Sequence, residues 1–405
     1  MKKHFLAAAL LLSAITSFGS GYLVNLEGLR QMAMGGTGTA WPWDVSTIYY
    51  NPGGLARLKG IQAYGSIATI MPVTAFGNIQ SAAKTFNQTF TPFNIYVGGP
   101  IQEGSKFALG LGIYTPAGDG VNWGNTWSGR YIVENIELQA VFVQPTLSYR
   151  VNDFLSVGAG FIYASGNLDI TNAIPVAGTG DTDGQAHLHG TANGVGFNTG
   201  LQMKLSDNFQ IGLTYRSQVN MSLSGGTATF YVPGSLRASF PNTHFDTQLP
   251  IPQVATIGAG YRTGALTLQF DLNYTGWNSY DSLRINFSQQ TSALHNEHGP
   301  RHYRNTLTPR IGANYKISKI VSVMAGAAYD PTPVTNGYVS PDLPDADRIV
   351  LTCGVTVKPL PHFTIMAAFE ATNAITRASS YDYANFSGTY KTQAATTGLG
   401  IYYNF

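Results

Sequence analysis

Apolar and polar residues alternate with a period of two over segment after segment of this chain. The pattern is plainest at 266–274, where Leu266, Leu268, Phe270, Leu272 and Tyr274 fall on one side and Thr267, Gln269, Asp271 and Asn273 on the other. Side chains of a β-strand point alternately to opposite faces, so such a segment is a strand with one greasy and one polar face. Residues 154–164 repeat the pattern with Leu155, Val157, Ala159, Phe161 and Tyr163 against Ser156, Gly158 and Gly160. In 309–317, Ile311, Ala313, Tyr315 and Ile317 oppose Arg310, Gly312, Asn314 and Lys316, which puts the charges on the polar face. Strands of this kind are predicted at 61–71, 93–101, 106–115, 135–150, 153–171, 188–205, 208–223, 251–263, 265–287, 303–317, 320–330, 347–358, 362–374 and 392–405, about fourteen in all.

The connections between them come in two kinds. Short turns occur at Val151-Asn152-Asp153, Leu205-Ser206-Asp207-Asn208, Arg262-Thr263-Gly264, Ile317-Ser318-Lys319 and Pro359-Leu360-Pro361, whereas long polar connections occupy 171–188, 223–250, 287–302, 331–346 and 375–391. Short turns on one side and long loops on the other are the mark of an antiparallel transmembrane β-barrel inserted from one face of a membrane. Tyr149, Tyr215, Tyr261, Tyr315 and Tyr329 lie near predicted strand ends, where aromatic girdles meet the lipid boundary. The chain finishes on the alternating stretch Leu399 to Phe405, whose terminal aromatic resembles the signal that outer-membrane proteins present to the barrel-assembly machinery.

Composition sharpens this picture. Charged residues make up only 11% and aromatics 12%, which suits a wall with a lipid face better than a soluble surface. No segment carries the roughly 18 to 20 continuous apolar residues of a membrane helix. Residues 1–19 begin with Lys2 and Lys3, continue through an apolar run from Phe5 to Leu12 and reach Ser17 and Gly19, so they read as a secretory signal. A net charge of +2 gives no reason to expect nucleic acid. The single cysteine, Cys353, leaves no intramolecular disulfide to form and shares the lipid-facing parity of Ile349, Leu351, Val355 and Val357.

About eight strands can be filled by their own side chains, so a barrel of about fourteen needs something in its bore. Residues 20–59 precede the first strand and carry Met32 to Gly38, Trp41-Pro42-Trp43-Asp44 and Tyr49-Tyr50-Asn51-Pro52-Gly53-Gly54. Their small residues and aromatics fit a compact hatch, or plug, inside the lumen, with 60–405 forming the barrel.

Sharper motifs yield to plainer readings. Asp181-Thr182-Asp183-Gly184 lacks the later glutamate of a calcium loop. His187 with His189, and His295 with His298, have no convincing third ligand. Asp342, Asp345 and Asp347 sit among prolines in a turn-rich loop, with Asp347 and Arg348 expected to pair inside the barrel. Gly35-Gly36-Thr37-Gly38 lacks the lysine of a phosphate loop, and no Gly-x-Ser-x-Gly elbow exists. No metal, no cofactor and no enzymatic chemistry are expected.

A run of short motifs resembles the FadL family of outer-membrane long-chain fatty acid transporters, which includes TodX-like aromatic-hydrocarbon channels. Asn51-Pro52-Gly53 stands where the family has Asn-Pro-Ala in its hatch. Gly196 to Gly200 followed by Ile211 to Ser217, then Leu249-Pro250-Ile251-Pro252, Tyr274-Thr275-Gly276-Trp277, Tyr329 to Pro333 and Leu343 to Arg348 follow in the family's order. The resemblance implies a fourteen-stranded, hatch-closed barrel in the bacterial outer membrane. Hydrophobic ligand would be captured among the extracellular loops and passed to an interior pocket, with a kink in the third strand opening the wall sideways. That strand runs here into Thr115, Pro116, Ala117 and Gly118; Pro116 cannot donate a ladder hydrogen bond, so the segment either breaks pairing or simply begins a loop.

Arg284 stands where similar proteins place a pocket lysine, and the family's second pocket arginine, near 169–172, has no counterpart. The expected ligand is a long-chain fatty acid, with an aromatic hydrocarbon as the alternative. Ligand would be collected by Phe230, Tyr231, Val232, Phe240 and Phe245, and the gate lies around Tyr22 to Asn25 and the Asn51, Pro52, Gly53 turn. Outer-membrane lipid is the surrounding partner and the barrel is expected to work as a monomer. A general polar porin and a surface adhesin are the readings from other classes.

Overall fold

The computed structural model describes residues 21–176 and 183–405; the expected signal sequence and residues 177–182, which include Asp181 and Thr182, lie outside the described residues. The alternating segments form a closed antiparallel barrel of fourteen strands. In chain order these are β1 (Gln62–Gly77), β2 (Phe93–Pro100), β3 (Phe107–Asn122), β4 (Asn135–Arg150), β5 (Leu155–Ile174), β6 (Gly184–Lys204) and β7 (Phe209–Arg216 with Val219–Tyr231). They continue as β8 (Thr243–Ile251 with Val254–Thr263), β9 (Leu266–Thr275 with Ser282–Phe287), β10 (Glu297–Pro300 with Thr306–Lys316), β11 (Val321–Asp330), β12 (Arg348–Leu360), β13 (Phe363–Ala374 with Arg377–Tyr381) and β14 (Phe386–Asn404). Each pairs with its sequence neighbour, and β1 meets β14 in a ladder running from Gln62↔Asn404 to Gly77↔Thr389. Closure joins the first strand to the last, which a wall surrounded by hydrocarbon requires.

The two faces follow the alternation. Ile67, Leu109, Phe161, Phe270, Ile311, Leu351 and Leu399 are exposed on the outside, as is Cys353. Tyr261 and Tyr315 lie outward near the ends with short turns, and Tyr215 and Tyr329 outward toward the other rim. Polar residues on the inner face are nevertheless buried: Gln144, Ser148, Ser156, Asn198, Gln202, Asp271, Arg310 and Asn314 are all nearly inaccessible. They are covered by residues 21–58, which lie in the bore.

That luminal segment contains only short helical turns, Leu29–Met32, Thr47–Tyr50 and the 3-10 turn Pro52–Arg57. It packs by close backbone approach to wall positions that have no side chain. A Cβ on Gly312 or Gly326 would strike Met34, and one on Gly158 or Gly200 would strike Pro52. Met32, Met34, Ile48 and Leu55 are fully buried against the wall, forming one continuous core with inward-facing strand residues.

The long connections depart from expectation. Residues 223–250 and 375–391, read as loops, are largely strand: β7 runs to Tyr231, β8 begins at Thr243, and β13 and β14 reach Tyr381 and Phe386. Their polar composition concealed this, because an inter-strand ladder satisfies the backbone in water as readily as in lipid while the apolar alternation stops where the hydrocarbon ends.

Candidate functional site

The third strand carries the main irregularity of the wall. Between β3 and β4 the register runs Tyr114↔Phe142 and then Ala117↔Ala140, so Thr115 and Pro116 oppose Val141 alone. This is a β-bulge, and β3 continues through it to Asn122 instead of ending in a loop. On its other side β3 pairs with β2 only as far as Asn94↔Tyr114, and the next backbone bond across that gap is Phe86 N to Asn122 O. In between, the luminal segment takes the vacant places. Val24 N donates to Pro116 O at 2.9 Å, Gly118 N donates to Tyr22 O at 3.1 Å, and Leu23 bridges Ala117 in antiparallel fashion. Thr115 and Pro116 are buried, and the Thr115 hydroxyl has no hydrogen-bond partner among the described residues.

Tyr22 is fixed from several directions. Its hydroxyl donates to Pro250 O, and its ring meets Trp277 edge-on at 4.8 Å and Tyr280 at 5.6 Å. Just before it, Gly21 N donates to Asp345 Oδ2 at 3.0 Å. Asp345 also accepts from the Thr332 hydroxyl, and burial raises its carboxyl above the usual range. Farther along the segment, Asn51 works as a clamp. Its Nδ2 shares its two protons among Thr39 O, Leu201 O and Gln202 Oε1, while its Oδ1 accepts from Gly53 N. Asn51, Pro52 and Gly53 are therefore pressed onto β5 and β6, well separated in sequence and in partners from the Tyr22 contacts with β3.

Among the interior spaces near the bulge, two share lining residues. The larger, a cavity of about 340 Å³, lies between residues 21–26 and the wall, with Ile70, Phe90, Thr115, Gly118, Asp119, Val121 and Leu138 on one side and Arg310, Asp330, Arg348 and Glu370 on another. The smaller, about 60 Å³, sits nearer the extracellular end and is mostly apolar, lined by Tyr22, Ile136, Leu168, Met221, Leu223, Leu249, Ile251 and Leu283.

The expected ligand residues are distributed differently. Arg284 does not line either space: it is exposed with Asn286, its Nε donates to Ser282 Oγ, and the pleat turns Ile285 inward instead. Phe245 is fully buried, and Phe230 packs against Phe240 and Phe287 in a closed apolar cluster with Leu223 and Ile285; only Tyr231 stands exposed. They stack into a small core at the extracellular tip because the strands there extend and pair. Asp347 and Arg348, expected to pair, each contact another residue. Arg348 reaches Asp330 on the adjacent strand at 3.3 Å, while Asp347 accepts from Thr332 N.

The sequence reading missed the charged floor of the bore. Arg310 lines the large cavity and donates to Gly35 O, and its Nε is without a partner among the described residues. Arg216 lies 3.8 Å over the Tyr49 ring and donates to Tyr49 O. Glu27 is fully buried nearby, and burial pushes it up to about 8 against the pull of Arg216. The polar parity of Arg310 was visible in the sequence; the depth of Glu27 was not.

These features have counterparts in known proteins. Residues 10–405 match the family model described as outer membrane protein transport protein (OMPP1/FadL/TodX). The chain is 24% identical over 399 residues to a long-chain fatty acid transport protein of Escherichia coli, covering 87% of each. It is also 24% identical to the putative outer membrane protein NMB0088 of Neisseria meningitidis, over 100% of this chain and 99% of that one. Among solved structures, a Pseudomonas aeruginosa FadL homologue superposes with a TM-score of 0.84 at 20% identity, covering 95% of this chain and all of the other. The Pseudomonas putida toluene transporter TodX superposes at 0.75 and 16% identity, covering 93% and 98%. With its fourteen-stranded wall and this match along nearly its whole length, the chain belongs to the OMPP1/FadL/TodX family of outer-membrane transport proteins.

Proposed function

We propose that this protein is a passive outer-membrane channel for hydrophobic molecules, with a long-chain fatty acid as the first ligand to test and an aromatic hydrocarbon as the second. The relatives named for fatty acid and toluene transport support both. The observation that carries the reading is the large cavity, which ends at a bulged strand whose missing backbone partners are supplied by residues 22–24. In this reading residues 21–59 are the hatch and Tyr22 to Asn25 its movable end. The Asn51, Pro52, Gly53 turn is its fixed end, and Thr115 to Gly118 frame a sideways exit. Phe230, Phe240 and Phe245 brace the extracellular rim, and Tyr231 is the aromatic left free to meet ligand.

Transport of this kind needs no cofactor and no reaction. Desolvation of an apolar ligand drives capture, and the concentration difference drives release. The barrel acts as a monomer in outer-membrane lipid after insertion by the assembly machinery. Proteoliposomes with and without the protein are given labelled oleate or toluene. Protein-dependent uptake of at least one is expected, and equal uptake of both in its absence overturns the reading.

A further inference from the structure

Leu343 stands where the two interior spaces meet. It lines both of them, together with Asp119, Leu138 and Gln139 of the paired strands β3 and β4. Between the apolar upper pocket and the larger lower cavity, the wall contributes those three residues, the luminal segment contributes Tyr22, and the 331–347 connection contributes Leu343.

The backbone around Leu343 is braced on both flanks. Trp123 Nε1 donates to Pro341 O at 3.0 Å. Arg301 grips Asp342 with two bonds, Nη1 to Oδ1 at 3.2 Å and Nη2 to Oδ2 at 2.6 Å. Asp345 is held by Gly21 N and the Thr332 hydroxyl. Leu343 itself packs against the main core while remaining partly accessible. A fixed backbone carrying one flexible apolar side chain at a throat is the arrangement of a valve set by side-chain size. No hydrogen bond has to break for that side chain to change rotamer.

We propose that Leu343 is the throat residue that controls passage of hydrophobic ligand from the upper pocket to the lower cavity. It is a specificity-determining residue of the transport route, and the inference rests on the channel reading given above. The bulk at this position then sets the rate and the widest ligand cross-section admitted.

The experiment uses the full-length protein with Leu343→Ala and Leu343→Trp. Uptake of labelled oleate and toluene is measured in proteoliposomes, and folding by heat-dependent gel mobility. Leu343→Ala is expected to raise oleate uptake severalfold, and Leu343→Trp to lower it by about tenfold, equivalent to a modest rise in the barrier. Both variants keep the gel mobility of a folded barrel. Wild-type uptake rates in both variants, or uptake lowered alike by alanine and tryptophan, overturn the assignment of Leu343. A wild-type protein that takes up neither probe overturns the channel reading, and this inference with it.

Discussion

At the scale of single residues, the luminal segment is held by a few polar side chains placed where water has been excluded. Replacing Asn51 with alanine leaves Thr39 O, Leu201 O and Gly53 N short of partners, and an unsatisfied buried group costs about 1 to 3 kcal/mol. Asn51→Ala is therefore expected to lower the thermal unfolding midpoint in detergent and to expose residues near 51–53 to protease while the wall remains intact. Glu27 gives a pH signature. Its folded-state value of about 8 lies above the ordinary 4.5, so the folded form binds more protons between those values and stability falls as pH rises through that window. Unfolding midpoints measured from about pH 5 to about pH 9 should decline for the wild type and flatten for Glu27→Gln, which keeps the shape and removes the charge. A slope unchanged by the substitution assigns it to another group.

At the scale of elements, the bulge is the feature whose removal has the clearest outcome. Excising Pro116 leaves one residue opposite Val141, restores an unbroken β3–β4 ladder and takes away the acceptor of Val24 N. The variant should still show the heat-dependent gel mobility of a folded barrel but lose proteoliposome uptake; undiminished uptake excludes this segment as the exit. Most strands were legible in the sequence because a lipid face imposes strict alternation, as at Leu266 to Tyr274. Legibility stopped where the lipid stops: Val219–Tyr231 and Phe386–Asn404 extend beyond the apolar belt, and their polar residues read as loop. Arg284 was misplaced for a related reason. Its family position was visible, but the alternation of Leu266 to Tyr274, carried on in phase past Trp277–Ser279, exposes Arg284 and buries Ile285. Glu27 and Leu343 carried no periodic signal at all, since both lie outside the wall strands and their surroundings come from distant strands.

At the scale of the whole molecule, a bore occupied along its inner polar face by residues 21–58 distinguishes this barrel from an open porin of similar girth. Planar bilayers containing the purified protein should show almost no steady ion conductance without added hydrophobe. Large ohmic steps would identify a general porin instead. The glycines at 158, 200, 312 and 326 make this occupancy possible by admitting backbone where a side chain would intrude. Gly200→Leu should therefore displace the Asn51, Pro52, Gly53 turn and raise conductance more than Asn51→Ala does.

In the proposed sideways exit, the two hydrogen bonds that Tyr22 and Val24 make to the bulged strand would act as a restoring force. A hydrocarbon that pushed those residues aside would offer neither donor nor acceptor, leaving Pro116 O and Gly118 N bare in a poorly solvating environment for as long as the molecule lingered. On that reading the passenger would be driven out by the same backbone groups it uncovers, and the doorway would spring shut behind it without any energy source.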